Sequence, residues 1–140
     1  MKKRQVVITG AGACGLMAAI MAARNGAAVT VLEQNEKPGK KICATGNGRC
    51  NFSNLARPDD AYRGEHPEFV EDALREFSVE DTIEFFKEIG IYPLNRNGYL
   101  YPRSNQAQSV VDVLCMEAAS LGVKIKTNDQ VTEIKTGTDG

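Results

Sequence analysis

"VVITGAGACGLMAAIMAARNGAAVTVLE", residues 6–33, decides how the rest of the chain is read. Residues 4–9 (RQVVIT) form a short β-branched run that ends on a glycine cluster, and residues 27–33 (AAVTVLE) form another. Both have the composition of strands buried in a parallel sheet. Between them, residues 14–25 are alanine-rich, with Leu16, Met17, Ile20 and Ala23 recurring at helical spacing. Gly26 stands where a left-handed C-terminal cap belongs. The segment is one β-α-β unit, whose crossover is right-handed and which seeds a doubly wound sheet.

Within that unit, "GAGACG" places Gly10, Gly12 and Gly15 at G-x-G-x-x-G spacing, directly after a strand and opening a helix. That context makes the pattern a dinucleotide fingerprint. The first glycine permits the tight turn, the second lets a pyrophosphate approach the backbone, and the third lets helix and strand pack closely. Unpaired N–H groups and a partial positive charge at the helix N-terminus complement the pyrophosphate. Glu33 ends the second strand, where a carboxylate can accept hydrogen bonds from the hydroxyls of an adenosine ribose and repel a 2′-phosphate.

The composition excludes several other classes. Of 140 residues, 42% are hydrophobic, enough for one domain with a core and without room for a second full domain. A net charge of −1 argues against a general polyanion binder, so no nucleic-acid partner is expected. Charge is nevertheless uneven: residues 1–50 hold eight Lys/Arg against two Asp/Glu, whereas residues 51–100 hold five against eleven. The glycine-rich half is the basic half, as an anionic cofactor there would favour. No apolar run is long enough to span a bilayer, and Gln5, Thr9 and the glycines interrupt any signal-peptide core, so the expectation is a cytoplasmic protein with no membrane partner. Cys14, Cys43, Cys50 and Cys115 fall at irregular spacings with a single histidine, His66, which argues against a metal site. All four read as ordinary thiols, and His66, in a polar loop beside Pro67, as non-catalytic.

After Glu33 come about twenty residues rich in glycine, lysine and asparagine, a connection long enough to suggest function. Residues 67–77 and 78–90 then read as amphipathic packing helices, the second capped by Ser78 with Asp81 and stopped by Gly90. Their glutamates read as a solvated face. Residues 91–102 (IYPLNRNGYLYP) form a hairpin around Asn97-Gly98. Residues 105–122 form a further helix with Val110, Val111, Leu114, Ala118 and Leu121 inward, followed by two strands, VKIKT and QVTEIKT. The expected fold is an α/β Rossmann-like domain: a parallel sheet seeded by residues 4–33, a cofactor loop at 34–55, helices at 67–90 and a hairpin-helix-β tail.

The fingerprint alone does not choose between NAD and FAD. The stretch from residue 6 through "KKICATGNGRCNFSN" (40–54) resembles the N-terminus of the BaiN-like, or aminoacetone-oxidase-like, NAD(P)/FAD-dependent oxidoreductases, flavoproteins of the two-dinucleotide type. The matching landmarks are Gly39, Lys40-Lys41, Thr45 to Asn51 and Ser53-Asn54, and "GYLYPRSNQAQSVVDVL" (98–114) resembles the family's next one. The resemblance implies FAD bound in an extended pose, with NAD(P)H as reductant of the parent enzyme and a small-molecule substrate. It places Gly10, Gly12, Ala13, Cys14 and Gly15 around the pyrophosphate and Glu33 with Gln34 at the ribose. Gly39, Lys40, Lys41, Thr45, Gly46, Gly48, Arg49, Cys50 and Asn51 line the pyrophosphate, ribityl and flavin side. Val131 would meet adenine through its backbone, and Asn54 is a second candidate for ribityl or flavin contact. Members of that family are roughly three times this length, so the chain reads as a truncated, incomplete domain: the FAD-binding portion of a flavin-dependent oxidoreductase. The rival readings are the NAD-binding domain of a nicotinamide-dependent dehydrogenase and a non-catalytic nucleotide-binding module. No oligomeric state follows from these residues.

Overall fold

The computed structural model describes residues 3–56 and 61–137. They form two compact units, one of residues 3–42 with 114–137 and the other of residues 43–56 with 61–113.

The first unit is built on a parallel sheet of three strands, β1 (Gln5–Thr9), β2 (Ala28–Glu33) and β6 (Lys124–Thr127), in the order β1-β2-β6. Val6 pairs with Val29 and Ile8 with Val31, so these four residues share one face. On that face Val29 and Val31 are buried, together with Leu16, Ala19 and Ile20 of helix α1 (Ala13–Arg24). Of the expected stripe, Leu16 and Ile20 are buried, Met17 and Ala23 are half-buried, and Ala19 joins the packed face. Gly26 ends α1 at φ 84°, with its N–H on the Ala23 carbonyl and the Ala27 N–H on the Ala22 carbonyl, a Schellman motif that only a residue without a Cβ closes cheaply. Beyond β2 a short helix, α2 (Lys40–Ala44), begins inside the stretch read from sequence as loop, and continues into a 3₁₀ turn over Thr45–Gly48. The surplus of glycine and asparagine hid these two local elements.

The second unit carries a three-stranded antiparallel sheet in the order β3-β5-β4, from β3 (Ser53–Asn54), β4 (Pro93–Arg96) and β5 (Tyr99–Pro102). Asn97 and Gly98 turn the hairpin with φ of 53° and 91°, the left-handed pair that matches strand twist. Two helices follow β3 in the chain, α3 (Phe69–Glu76) and α4 (Val79–Glu88). Helix α4 starts in a capping box: the Asp81 N–H donates to Ser78 Oγ at 3.1 Å, and the Ser78 N–H donates to Asp81 Oδ2 at 2.8 Å. The Ser78 hydroxyl also donates to that carboxylate and holds its pKa below the usual range. Phe52 and Phe86 pack with ring centroids 4.8 Å apart, beside buried Phe85. Helix α5 (Ala107–Ser120), which belongs to the first unit from Leu114 onward, buries Val110, Val111, Leu114 and Ala118 as its spacing predicts, whereas Leu121, also expected inward, is half-buried just past its end.

One expected strand is missing. Residues 130–136 pair with no strand among the described residues, and Ile134 is 80% exposed there. A β-branched alternation is a strand only where a neighbour completes the ladder.

Candidate functional site

The glycine turn is held from three directions. Gly10 takes φ 90°, a conformation costly for any other residue, and its N–H donates to the Leu32 carbonyl at 2.7 Å. Ala11 is fully buried and uses both of its backbone groups: its N–H donates to Glu33 Oε2 at 2.7 Å, and its carbonyl accepts from the Gly39 N–H at 2.8 Å. The three sequence-predicted positions Gly10, Glu33 and Gly39 thus converge on one loop.

The other two glycines do different work. A Cβ on Gly15 would lie far inside van der Waals contact of the Gly10 carbonyl oxygen. Helix and turn pack there at a distance that admits only hydrogen. A Cβ on Gly12 would meet nothing within 4 Å, and its φ of −81° suits any residue. The chain itself gives no reason for glycine at that position. Space in front of Gly12, at the start of a twelve-residue helix, is what a pyrophosphate requires. No side chain caps α1, and its first turn holds no acid. Leu16 donates the first helical bond, to Gly12, so the N–H groups of Ala13, Cys14 and Gly15 precede the ladder. Ala13 and Cys14 are exposed.

Glu33 is 6% exposed and serves a purpose that sequence reading missed. Its Oε1 accepts from the Asn35 N–H at 2.8 Å and from the Asn35 amide at 2.5 Å, while Oε2 holds Ala11. The Asn35 backbone bond, aided by Ala11, the Asn35 side chain and the charge of Lys40, lowers its pKa against the opposing effect of burial. The carboxylate stays ionised and braces the turn. Gln34, Lys40 and Lys41 are exposed around it. The Asp129 N–H donates to the Glu33 carbonyl at 2.9 Å, which ties the segment carrying Val131 to the end of β2. Val131 itself is 36% exposed and lies outside any strand, not in the one expected for it.

In the second unit, Thr45 to Asn51 form a compact left-handed loop. Gly46, Asn47 and Gly48 all have positive φ, and so does Cys50 at 59°. The Arg49 N–H donates to the Gly46 carbonyl at 3.2 Å and the Cys50 N–H to the Thr45 carbonyl at 3.0 Å. These two N–H groups are spent within the loop. Asn51 braces the loop: its amide donates to the carbonyls of Ser53 and Leu100 at 2.9 and 3.0 Å. Asn54 Oδ1 accepts from the Ala56 N–H. Cys50 is buried, and burial raises its pKa against a hydrogen bond from the Thr45 side chain, so its thiol is neutral. Arg49 makes no salt bridge among the described residues; its Nε donates to the Gly46 carbonyl at 3.0 Å and its guanidinium lies 5.3 Å from the Tyr101 ring centroid. Tyr101 was absent from the sequence candidates, and only the Asn97-Gly98 register could have pointed to it.

All four cysteines are free, and among the described residues no group of three or more His, Cys, Asp or Glu side chains could hold a metal ion. His66 is 80% exposed against Glu68. No helix among the described residues is long and apolar enough to cross a membrane.

Comparison with known proteins agrees with this geometry. Residues 4–140 match the family model described as the HI0933-like protein Rossmann domain. A 3-dehydro-bile acid delta(4,6)-reductase of Clostridium scindens is 47% identical over 97% of the chain and 34% of its own length. A ribosomal RNA dihydrouridine synthase of Escherichia coli is 33% identical over 96% of the chain, again 34% of its own length. The chain therefore spans about a third of the length of the curated relatives it matches. Among solved structures, a 3-ketosteroid-delta4-(5alpha)-dehydrogenase of Rhodococcus jostii has a TM-score of 0.63 at 18% identity, covering 91% of this chain and 38% of that one, a likeness of fold. With its parallel sheet, glycine turn and whole-chain family match, the chain belongs to the HI0933-like protein Rossmann domain family.

Proposed function

We propose that this chain is the FAD-binding part of a flavin-dependent oxidoreductase, and that the whole protein reduces a carbon–carbon double bond conjugated to a carbonyl. The observation that carries the first half is Gly12: a glycine with no steric need within the chain, at an uncapped helix start, beside two glycines that the fold does need. The residues present fit the cofactor. Gly12 leaves room for the pyrophosphate, and the N–H groups of Ala13, Cys14 and Gly15 donate to it with the helix dipole behind them. Glu33 Oε2, which accepts one bond within the chain, has a lone pair left for a ribose hydroxyl. Lys40 and Lys41 offset phosphate charge, and Gln34, Gly39 and Val131 complete the adenosine side. Thr45, Gly46, Gly48, Arg49, Cys50 and Asn51 form the loop assigned to the flavin side.

FAD, when bound, supplies a two-electron carrier for a reduction that adds two electrons and two protons across the double bond. The chemistry of two relatives' names supports this class. A delta(4,6)-reductase of a 3-dehydro-bile acid saturates a ring double bond conjugated to a ketone, and dihydrouridine formation saturates one conjugated to a ring carbonyl. A small-molecule substrate rather than RNA suits the net charge of −1 and the acidic residues 51–100. NAD(P)H as the reductant and a cytoplasmic location, where four free cysteines stay reduced, complete the reading.

The test is equilibrium binding of FAD to the wild-type chain and to Gly12→Ala. The wild type retains flavin through desalting, and the variant, folded normally, does not. Equal retention by both would overturn the cofactor assignment.

A further inference from the structure

Arg49 and Arg96 converge on one ring. Their guanidinium carbons lie 5.3 and 6.0 Å from the centroid of Tyr101, within the range of cation–π attraction. Register explains the meeting: Leu94 pairs with Tyr101 and Arg96 with Tyr99, so Arg96, Tyr99 and Tyr101 share one face of the hairpin. Arg49 arrives from the left-handed loop, fixed by its Nε bond to the Gly46 carbonyl. Neither arginine has a carboxylate within ion-pair distance among the described residues. Two like charges on one ring, with no acid among the described residues to offset them, repel, and an anion that met both would reverse the sign of that interaction.

We propose that Arg49, Arg96 and Tyr101 form a binding site for one oxyanion group, a phosphate or a carboxylate, on a small-molecule ligand. Arg49 is held by its Nε, which leaves its terminal nitrogens to the anion, and Tyr101 brings both guanidinium groups within cation–π range of one ring. Arg96 adds the second charge from the turn end of β4, where it is exposed and its side chain makes no hydrogen bond among the described residues. Two sources carry such a group: the phosphates of the flavin cofactor itself, and an anionic substrate or reductant.

Inorganic phosphate and acetate serve as probes, titrated calorimetrically into the chain at low ionic strength. The expected result is saturable phosphate binding that Arg96→Gln weakens about tenfold or more and Arg96→Lys weakens less, as removal of a charge-assisted contact requires. Arg103→Gln, on the same hairpin and without the Tyr101 contact, leaves binding unchanged. Competition separates the sources. If FAD displaces phosphate and Arg96→Gln weakens FAD in parallel, the site holds a cofactor phosphate. If phosphate still binds the FAD-loaded chain, it holds a group of the substrate or reductant. Phosphate and acetate binding that is equal in the wild type, Arg96→Gln and Arg103→Gln would overturn the proposal. Arg49→Gln loosens the loop as well, so Arg96 carries the test, with circular dichroism to confirm the fold. Because the readout is phosphate, it fails or holds independently of the FAD assignment.

Discussion

Gly12 and Gly15 separate two reasons for glycine that a motif merges. At Gly15 the reason lies inside the chain: a methyl group there would strike the Gly10 carbonyl, so Gly15→Ala should destabilise the first unit by at least the ~1–3 kcal/mol that overpacking costs, read as a lower urea midpoint. At Gly12 the reason lies outside it, and Gly12→Ala should leave that midpoint within about 0.5 kcal/mol of wild type. Glu33 is the third residue on which the turn depends. Its pKa is lowered on folding, so its stabilisation is fully present above its ordinary value of 4.5 and is lost as pH falls through the lower folded value. Denaturant midpoints measured from pH 7 down to pH 3 should fall with acid in the wild type. Glu33→Gln, weaker at pH 7 by about 1–3 kcal/mol through loss of charge-assisted bonds, should show a flatter profile. Among the thiols, exposed Cys14 should react first with an aromatic disulfide reagent at neutral pH and buried, neutral Cys50 last, resolved by peptide mass spectrometry.

At the scale of elements, what was legible was what is local. The stop at Gly26, the Ser78–Asp81 box and the Asn97-Gly98 turn each depend on residues within a few positions, and each forms as read. Gly98→Ala should cost more than about 1 kcal/mol in thermal unfolding, because φ is 91° and the new methyl would press on Ala56 and Asn54 at 3.1 Å. What was not legible joins distant positions. The Ala11 bond to Glu33 spans 22 residues and the Asn51 bond to Leu100 spans 49, and no period in the sequence records either. The same holds for residues 130–136, where alternation promised a strand that has no partner in the described chain. Lys40–Ala44 errs the other way, a helical turn hidden among residues chosen for a loop.

At the scale of the whole molecule, the β-α-β unit carries the account, since it joins fold, family and cofactor. The fingerprint, the turn braced by Glu33 and the match over residues 4–140 agree on a Rossmann domain, and the resemblance in residues 40–54 selects FAD over NAD. The measurement that tests this most directly is the visible absorption spectrum of the chain after incubation with FAD and desalting, run beside Gly12→Ala. The account predicts a protein-perturbed flavin spectrum in the wild type and its loss in a variant whose unfolding midpoint is unchanged. Flavin lost from a folded wild type that still binds ADP, or retained equally by Gly12→Ala, would contradict it.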